Sequence, residues 1–92
     1  MKSTEPLRAL CKPGLAANRI NMHPNEGFDL GLMTTRHEVE VEGLGKAEVW
    51  LLNDCPKESF ELNPGVWERY GKPMRAVLTF DGAKLRIEAC GL

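Results

Sequence analysis

This chain has no apolar run long enough to span a bilayer. Its first ten residues, Met-Lys-Ser-Thr-Glu-Pro-Leu-Arg-Ala-Leu, lack the uninterrupted apolar core of ~7 to 15 residues that a secretory leader requires. Cysteine is scarce and odd in number. Cys11, Cys55 and Cys90 are widely spaced with no Cys-x-x-Cys pair, which argues against a disulfide framework. These absences point to a cytoplasmic protein with free thiols. Histidine is scarcer still, and the nearest His/Cys pair, Cys11 and His23, is too far apart for the close ligand pairs of a structural zinc site, so no metal or cofactor is expected. Neither sign of charge dominates: 12 Lys plus Arg against 13 Asp plus Glu leave a net charge of -1, which gives no global attraction to nucleic acid or anionic membranes. No nucleophile signature is present, Gly43-Leu44-Gly45 is too short for a phosphate-binding loop, and enzymatic activity is not expected. No internal repeat, low-complexity tract or linker is evident.

What remains is a chain of 92 residues, 42% hydrophobic and 27% charged, the balance of a single globular domain over 1–92. A domain of this size buries only roughly 60 to 65% of the surface its unfolded chain exposes, so it holds one modest core.

The strongest pattern is the alternation from His37 to Leu52, which predicts a β-hairpin over about 37–52 with a turn at Gly43-Leu44-Gly45. The expected register sets Glu42 against Lys46, Val41 against Ala47, Val39 against Val49 and His37 against Leu51. One face is then apolar; the other carries Glu38, Glu40, Glu42 and Glu48, with Trp50 exposed beside them. A second hairpin is expected over about 75–89 around Asp81-Gly82, read as a type I′ turn with Phe80 facing Ala83 and Leu78 facing Leu85. Its outer face carries Thr79, Lys84, Arg86 and Glu88, so unlike charges favour side-by-side packing of the two hairpins.

Between them, Phe60 and Leu62 mark a short strand. Asn63 as N-cap, Pro64 at the first helical position and Gly71 as a stop predict a helix from Pro64 to Tyr70, with a turn at Asn63-Pro64-Gly65 as the competing reading. Towards the N-terminus, Ser3 or Thr4 is expected to cap a short helix carrying Leu7 and Leu10, ended by Lys12-Pro13-Gly14. Leu15 to Met22 fits a helical turn or an edge strand, His23-Pro24-Asn25-Glu26-Gly27 is dense in turn formers, and Phe28, Leu30 and Leu32 suggest a further strand. The fold class is therefore α+β: a mainly antiparallel sheet built from two hairpins, with one or two short helices.

Two stretches could bind a partner. One is Trp50 with Glu38, Glu40, Glu42 and Glu48, which is equally the composition of a solvated sheet face. The other interleaves aromatic and basic residues, Trp67, Arg69, Tyr70, Lys72 and Arg75, a mixture suited to protein hot spots or nucleic-acid contacts. In size, mild acidity and cysteine-poor hairpin build, the chain is similar in type to the small proteins that phages encode to block host machinery, anti-CRISPR proteins among them. That is a likeness of kind, carried by no specific residue. It implies a non-enzymatic module that docks on a larger protein or nucleoprotein complex. The alternative expectation is a small β-barrel-like nucleic-acid binder.

Overall fold

The alternating stretches do become strands, and more of the chain is strand than its local patterns suggest. A computed structural model describes residues 1–90. In order, they form β1 (Lys2–Ser3), β2 (Leu7–Cys11), β3 (Arg19–Met22), α1 (Pro24–Asp29), β4 (Arg36–Val41), β5 (Gly45–Leu51), β6 (Ser59–Leu62), α2 (Pro64–Arg69), β7 (Arg75–Phe80) and β8 (Lys84–Ala89). The sheet runs β7-β2-β6-β3-β5-β4-β8, and β8 pairs back onto β7, so seven strands close a barrel; β1 adds to the edge of β7. The pairings β2–β6, β3–β5 and β4–β8 are parallel, which replaces the expected antiparallel two-hairpin sheet with a mixed one. Closure leaves few free strand edges.

The N-terminal helix does not form. Leu7 and Ala9 point into the core while Arg8 points out, a period of two. Three residues, Thr4 to Pro6, face two on β7, which makes a bulge. Thr4 is held there by its backbone N–H to the Leu78 carbonyl (2.9 Å) and by its hydroxyl accepting from the Leu78 N–H (3.1 Å). Pro6, which has no N–H to donate, sits in the bulge. The strand expected at Phe28, Leu30 and Leu32 is instead the end of α1 and the turn after it. Leu30 and Leu32 are buried and Phe28 is half exposed. The stretch before it contains β3, placed between β5 and β6 rather than at an edge. The α2 helix follows the sequence reading, with the Asn63 side chain accepting from Gly65 and Val66 N–H and Gly71 at φ +87°.

Both hairpins form with every partner displaced by two positions. His37 faces Val49, Val39 faces Ala47 and Val41 faces Gly45; Phe80 faces Leu85 and Leu78 faces Ile87. In the first, α2 draws the turn out of the ladder: the Tyr70 hydroxyl donates to the Glu42 carbonyl (2.9 Å) and Arg69 Nη1 to the Gly43 carbonyl (3.3 Å). In the second, Asp81 Oδ1 accepts from the Lys84 (2.8 Å) and Ala83 (2.9 Å) N–H groups, and these bonds hold its carboxyl below the usual range. Four residues, Asp81 to Lys84, lie between the last paired positions, and only Gly82 among them has positive φ (+100°), so the turn is not type I′. A displacement of two preserves which face each side chain occupies, and the expected apolar set still shares one core, with Phe80 at its margin. The hairpins do lie side by side, through parallel pairing of β4 with β8.

The barrel is built from two interlocked β-β-α-β units, a repeat the sequence conceals. A shift of 40 residues carries Arg8↔Ser59, Ala9↔Phe60, Leu10↔Glu61 and Cys11↔Leu62 onto Glu48↔Arg19, Val49↔Ile20, Trp50↔Asn21 and Leu51↔Met22. The same shift carries α1 onto α2, cap His23 onto cap Asn63, and Gly31 (φ +81°) onto Gly71. It also relates loop bonds: Leu15 N–H to Lys12 O with Cys55 N–H to Leu52 O, and Lys12 N–H to Leu62 O with Leu52 N–H to Met22 O. The pseudo-twofold axis passes between β3 and β6, at the pair Asn21↔Glu61. Beyond the helices the first unit's loop is longer, so Glu38 opposite Glu48 corresponds to Arg75 opposite Arg8.

Candidate functional site

The outward side chains of β4 and β5 form the most developed surface of the barrel. Alternation and register set Arg36 opposite Trp50, Glu38 opposite Glu48 and Glu40 opposite Lys46. Trp50 is half-buried rather than open to solvent. The Arg19 guanidinium lies 4.0 Å and that of Arg36 5.4 Å from its ring centroid, and its Nε1 donates to Glu48 Oε1 (3.2 Å). Arg19 is fixed in turn, its Nε donating to Asn21 Oδ1 (2.9 Å). Asn21 Nδ2 donates to Glu61 Oε1 (2.9 Å), whose other oxygen faces Lys12 Nζ at 3.6 Å. A polar chain thus crosses β5, β3 and β6 on the outside of the barrel, with Asn21 at its centre buried by the groups it bonds.

Beside this stack lies an open hollow of about 410 Å³, lined by Asn18, Glu38, Val39, Glu40, Lys46, Ala47, Glu48 and Ala83. Backbone bonds fix its two rims: Glu48 N–H to Asn18 O (2.8 Å) and Glu40 N–H to Ala83 O (3.2 Å). Glu38 and Glu40 are exposed and Glu48 is half-buried, whereas Glu42 lies in the turn and pairs with Arg86. The expected glutamate ladder is therefore three carboxylates around a hollow, with a fourth engaged elsewhere.

In the second expected stretch, three of the five side chains make hydrogen bonds to other described residues and two do not. Trp67 Nε1 donates to the Pro73 carbonyl (2.9 Å), and Tyr70 and Arg69 hold the β4–β5 turn. Lys72 is exposed in a left-handed turn at φ +54°. Arg75 is exposed and faces not an acid but Arg8. Sequence reasoning missed Arg8, Arg19 and Arg36. Arg36 shares the parity of Glu38 and was within reach of that pattern, but Arg19 and Arg8 arrive through pairings with no local signal.

At the other end of β3, the two units differ. Leu15 and Cys55 correspond under the shift of 40, as do Val66 and Glu26, and all four are buried. Each unit therefore buries one apolar and one polar member, Leu15 with Glu26 in the first and Val66 with Cys55 in the second. Burial, and then the charge of Glu61, push the Cys55 thiol up to about 11, with Glu26 adding in the same direction. The thiol stays protonated at neutral pH, the reverse of what a nucleophilic cysteine needs. His23 Nδ1 is occupied as the α1 cap, accepting the Asn25 N–H (3.1 Å). Glu26 Oε2 is buried without a hydrogen-bond partner among the described residues. Such a group is costly. Glu26→Leu should raise stability by about 1 kcal/mol, read as a higher denaturation midpoint at constant slope; a lower midpoint would show that the carboxylate is internally compensated.

Among the described residues no group of three or more His, Cys, Asp or Glu side chains is placed to hold a metal ion, and no helix is long and apolar enough to cross a membrane. No protein-family model, curated protein or solved structure matches the chain.

Proposed function

We propose that this protein is a non-enzymatic binding module that docks on a larger protein or nucleoprotein complex and inhibits or adapts it, the role small phage-encoded inhibitors such as anti-CRISPR proteins play. The observation that carries this reading is the hollow on the β4–β5 face. It is open, lined by Glu38, Glu40 and Glu48 against Lys46, the single cation among the described residues that line it, and flanked by an indole that two arginine guanidinium groups approach. Rigid surfaces of that kind bind with little ordering cost. The acidic rim suits a basic partner surface, with charge setting the encounter rate and register.

Affinity capture of the tagged protein from a host lysate, quantified by mass spectrometry, tests it. A partner should be enriched with or without nuclease treatment, and Glu38→Lys with Glu40→Lys should reduce its recovery about tenfold or more. Recovery that disappears on nuclease treatment would favour the nucleic-acid-binding alternative. Recovery indifferent to the charge reversal would remove the hollow as the docking surface. Trp50→Ala is the weaker probe, because its two arginine contacts and its bond to Glu48 make it part of the framework.

A further inference from the structure

The pseudo-twofold places two like-charged pairs at corresponding points of the barrel, with opposite signs. On β4 and β5 the pair is Glu38 opposite Glu48; on β7 and β2 it is Arg75 opposite Arg8. Like charges directly across a ladder are unfavourable. Arg8 and Arg75 are exposed and make no ion pair among the described residues, nor do Glu38 and Glu48, although Glu48 Oε1 accepts the indole N–H of Trp50. Around the barrel, β6 and β3 separate the two flanks on one side and β8 on the other, so the pairs face away from each other. One molecule cannot bring them together.

We infer that the occupant of the acidic hollow is a second copy of this chain, which docks through its Arg8–Arg75 flank. This rests on reading the hollow as a docking surface and names what fills it. The two flanks carry their charges at corresponding register positions of the internal repeat, and the signs are complementary. Trp50 and Leu10, which correspond under the shift of 40, border the pairs with half-buried apolar surface. One contact relieves the Arg8–Arg75 pair and supplies Glu38 with the opposite charge that Glu48 already has beside it in Arg19 on β3. A net charge of -1 adds little repulsion between copies. Because each flank meets the other rather than itself, the contact is head-to-tail and leaves a free flank at each end, so assembly continues beyond a dimer.

Sedimentation velocity on the full chain, from low micromolar to near-millimolar concentration, tests this at ~0.05 M and ~0.5 M salt. The wild-type protein should grow beyond a dimer with concentration at low salt and revert towards monomer at high salt. Arg8→Gln with Arg75→Gln, and separately Glu38→Gln with Glu48→Gln, should each be monomeric with a melting temperature no lower than that of the wild type. Mixed in equal amounts, the two variants should form a 1:1 dimer that does not grow, since each retains the flank the other lacks. A wild-type protein monomeric at low salt throughout, or a mixture that stays monomeric, overturns the inference. Lysate capture that still depends on Glu38 and Glu40 would leave the docking reading standing in that case. Growth with no captured partner would do the opposite.

Discussion

Phe60→Ala should lower stability by about 3 to 5 kcal/mol, a large share of the ~5 to 15 kcal/mol available to a domain of this size. Phe60 has no exposed surface and lies on β6, in register with Ala9 on β2 and Met22 on β3. Its counterpart in the first unit is Ile20, also fully buried, which lies in register with Val49 on β5. The β2–β6 contact packs a large residue beside a small one, where the equivalent β5–β3 contact packs two of middle size. The cost of Phe60→Ala is then a cavity that neither Ala9 nor Met22 can fill. A specific rescue follows: Ala9→Val combined with Phe60→Ile puts the residue types of the Val49–Ile20 contact at the equivalent Ala9–Phe60 contact and should cost less than about 1.5 kcal/mol. Denaturant unfolding at constant slope measures both variants. Equal losses for the single and the double variant would mean that the two halves of the core are not interchangeable and that the repeat is one of backbone only.

The repeat escapes detection in the sequence for a physical reason. Between residues 7–31 and 47–71 only Pro24 with Pro64 and Gly31 with Gly71 are identical. What persists is role: an N-cap acceptor supplied by His23 in one unit and Asn63 in the other, proline at the first helical position, and glycine where the chain must turn left-handed. Asn63 is a common cap and made α2 readable. His23 is an uncommon one, so the same helix in the first unit reads as a cluster of turn formers.

Local signals carried what was legible. Alternation located β4, β5, β7 and β8, and turn residues joined them into hairpins, but the turns were misjudged by one residue each because tertiary bonds to Glu42 and Gly43, and side-chain capping by Asp81, decide where the ladder ends. The parallel pairings that close the barrel join strands far apart in sequence and leave no punctuation. The candidate site inherits this division. Glu38, Glu40 and Glu48 were visible as one face of a strand pair. The arginines that clamp Trp50, and the Arg8–Arg75 pair on the far flank, depend on which strands become neighbours. Trp50 accordingly reads as an exposed residue from sequence, whereas in the fold it is half-buried with two arginine guanidinium groups over its ring.

Raising the pH from 9 to 11 should unfold this protein progressively, and Cys55 should account for a separable part of the loss. Its thiol titrates at 9.0 when unconstrained and at about 11 in the fold, raised first by burial and then by Glu61. A group whose folded pKa is raised holds its proton more tightly in the native state. Below 9 both states are protonated and stability is level; between 9 and 11 the unfolded chain loses the proton first, and stability falls as pH rises. At ~1.4 kcal/mol for each pKa unit, the full loss is on the order of 2 to 3 kcal/mol. Tyr70, which burial also raises, contributes with the same sign above its ordinary 10, so the difference between variants is the informative quantity. Unfolding free energies measured from pH 7 to 11 should decline less steeply for Cys55→Ala than for the wild type, the two curves converging as pH rises. Tyr70→Phe supplies the control for the phenol. At pH 8 the exposed Cys11 should react with iodoacetamide promptly while Cys55, with 3% of its surface accessible, reacts only through opening of the fold. Parallel pH curves for wild type and Cys55→Ala, or labelling of Cys55 as fast as Cys11, would show that the loop carrying Cys55 opens readily and that the thiol meets solvent in the native state.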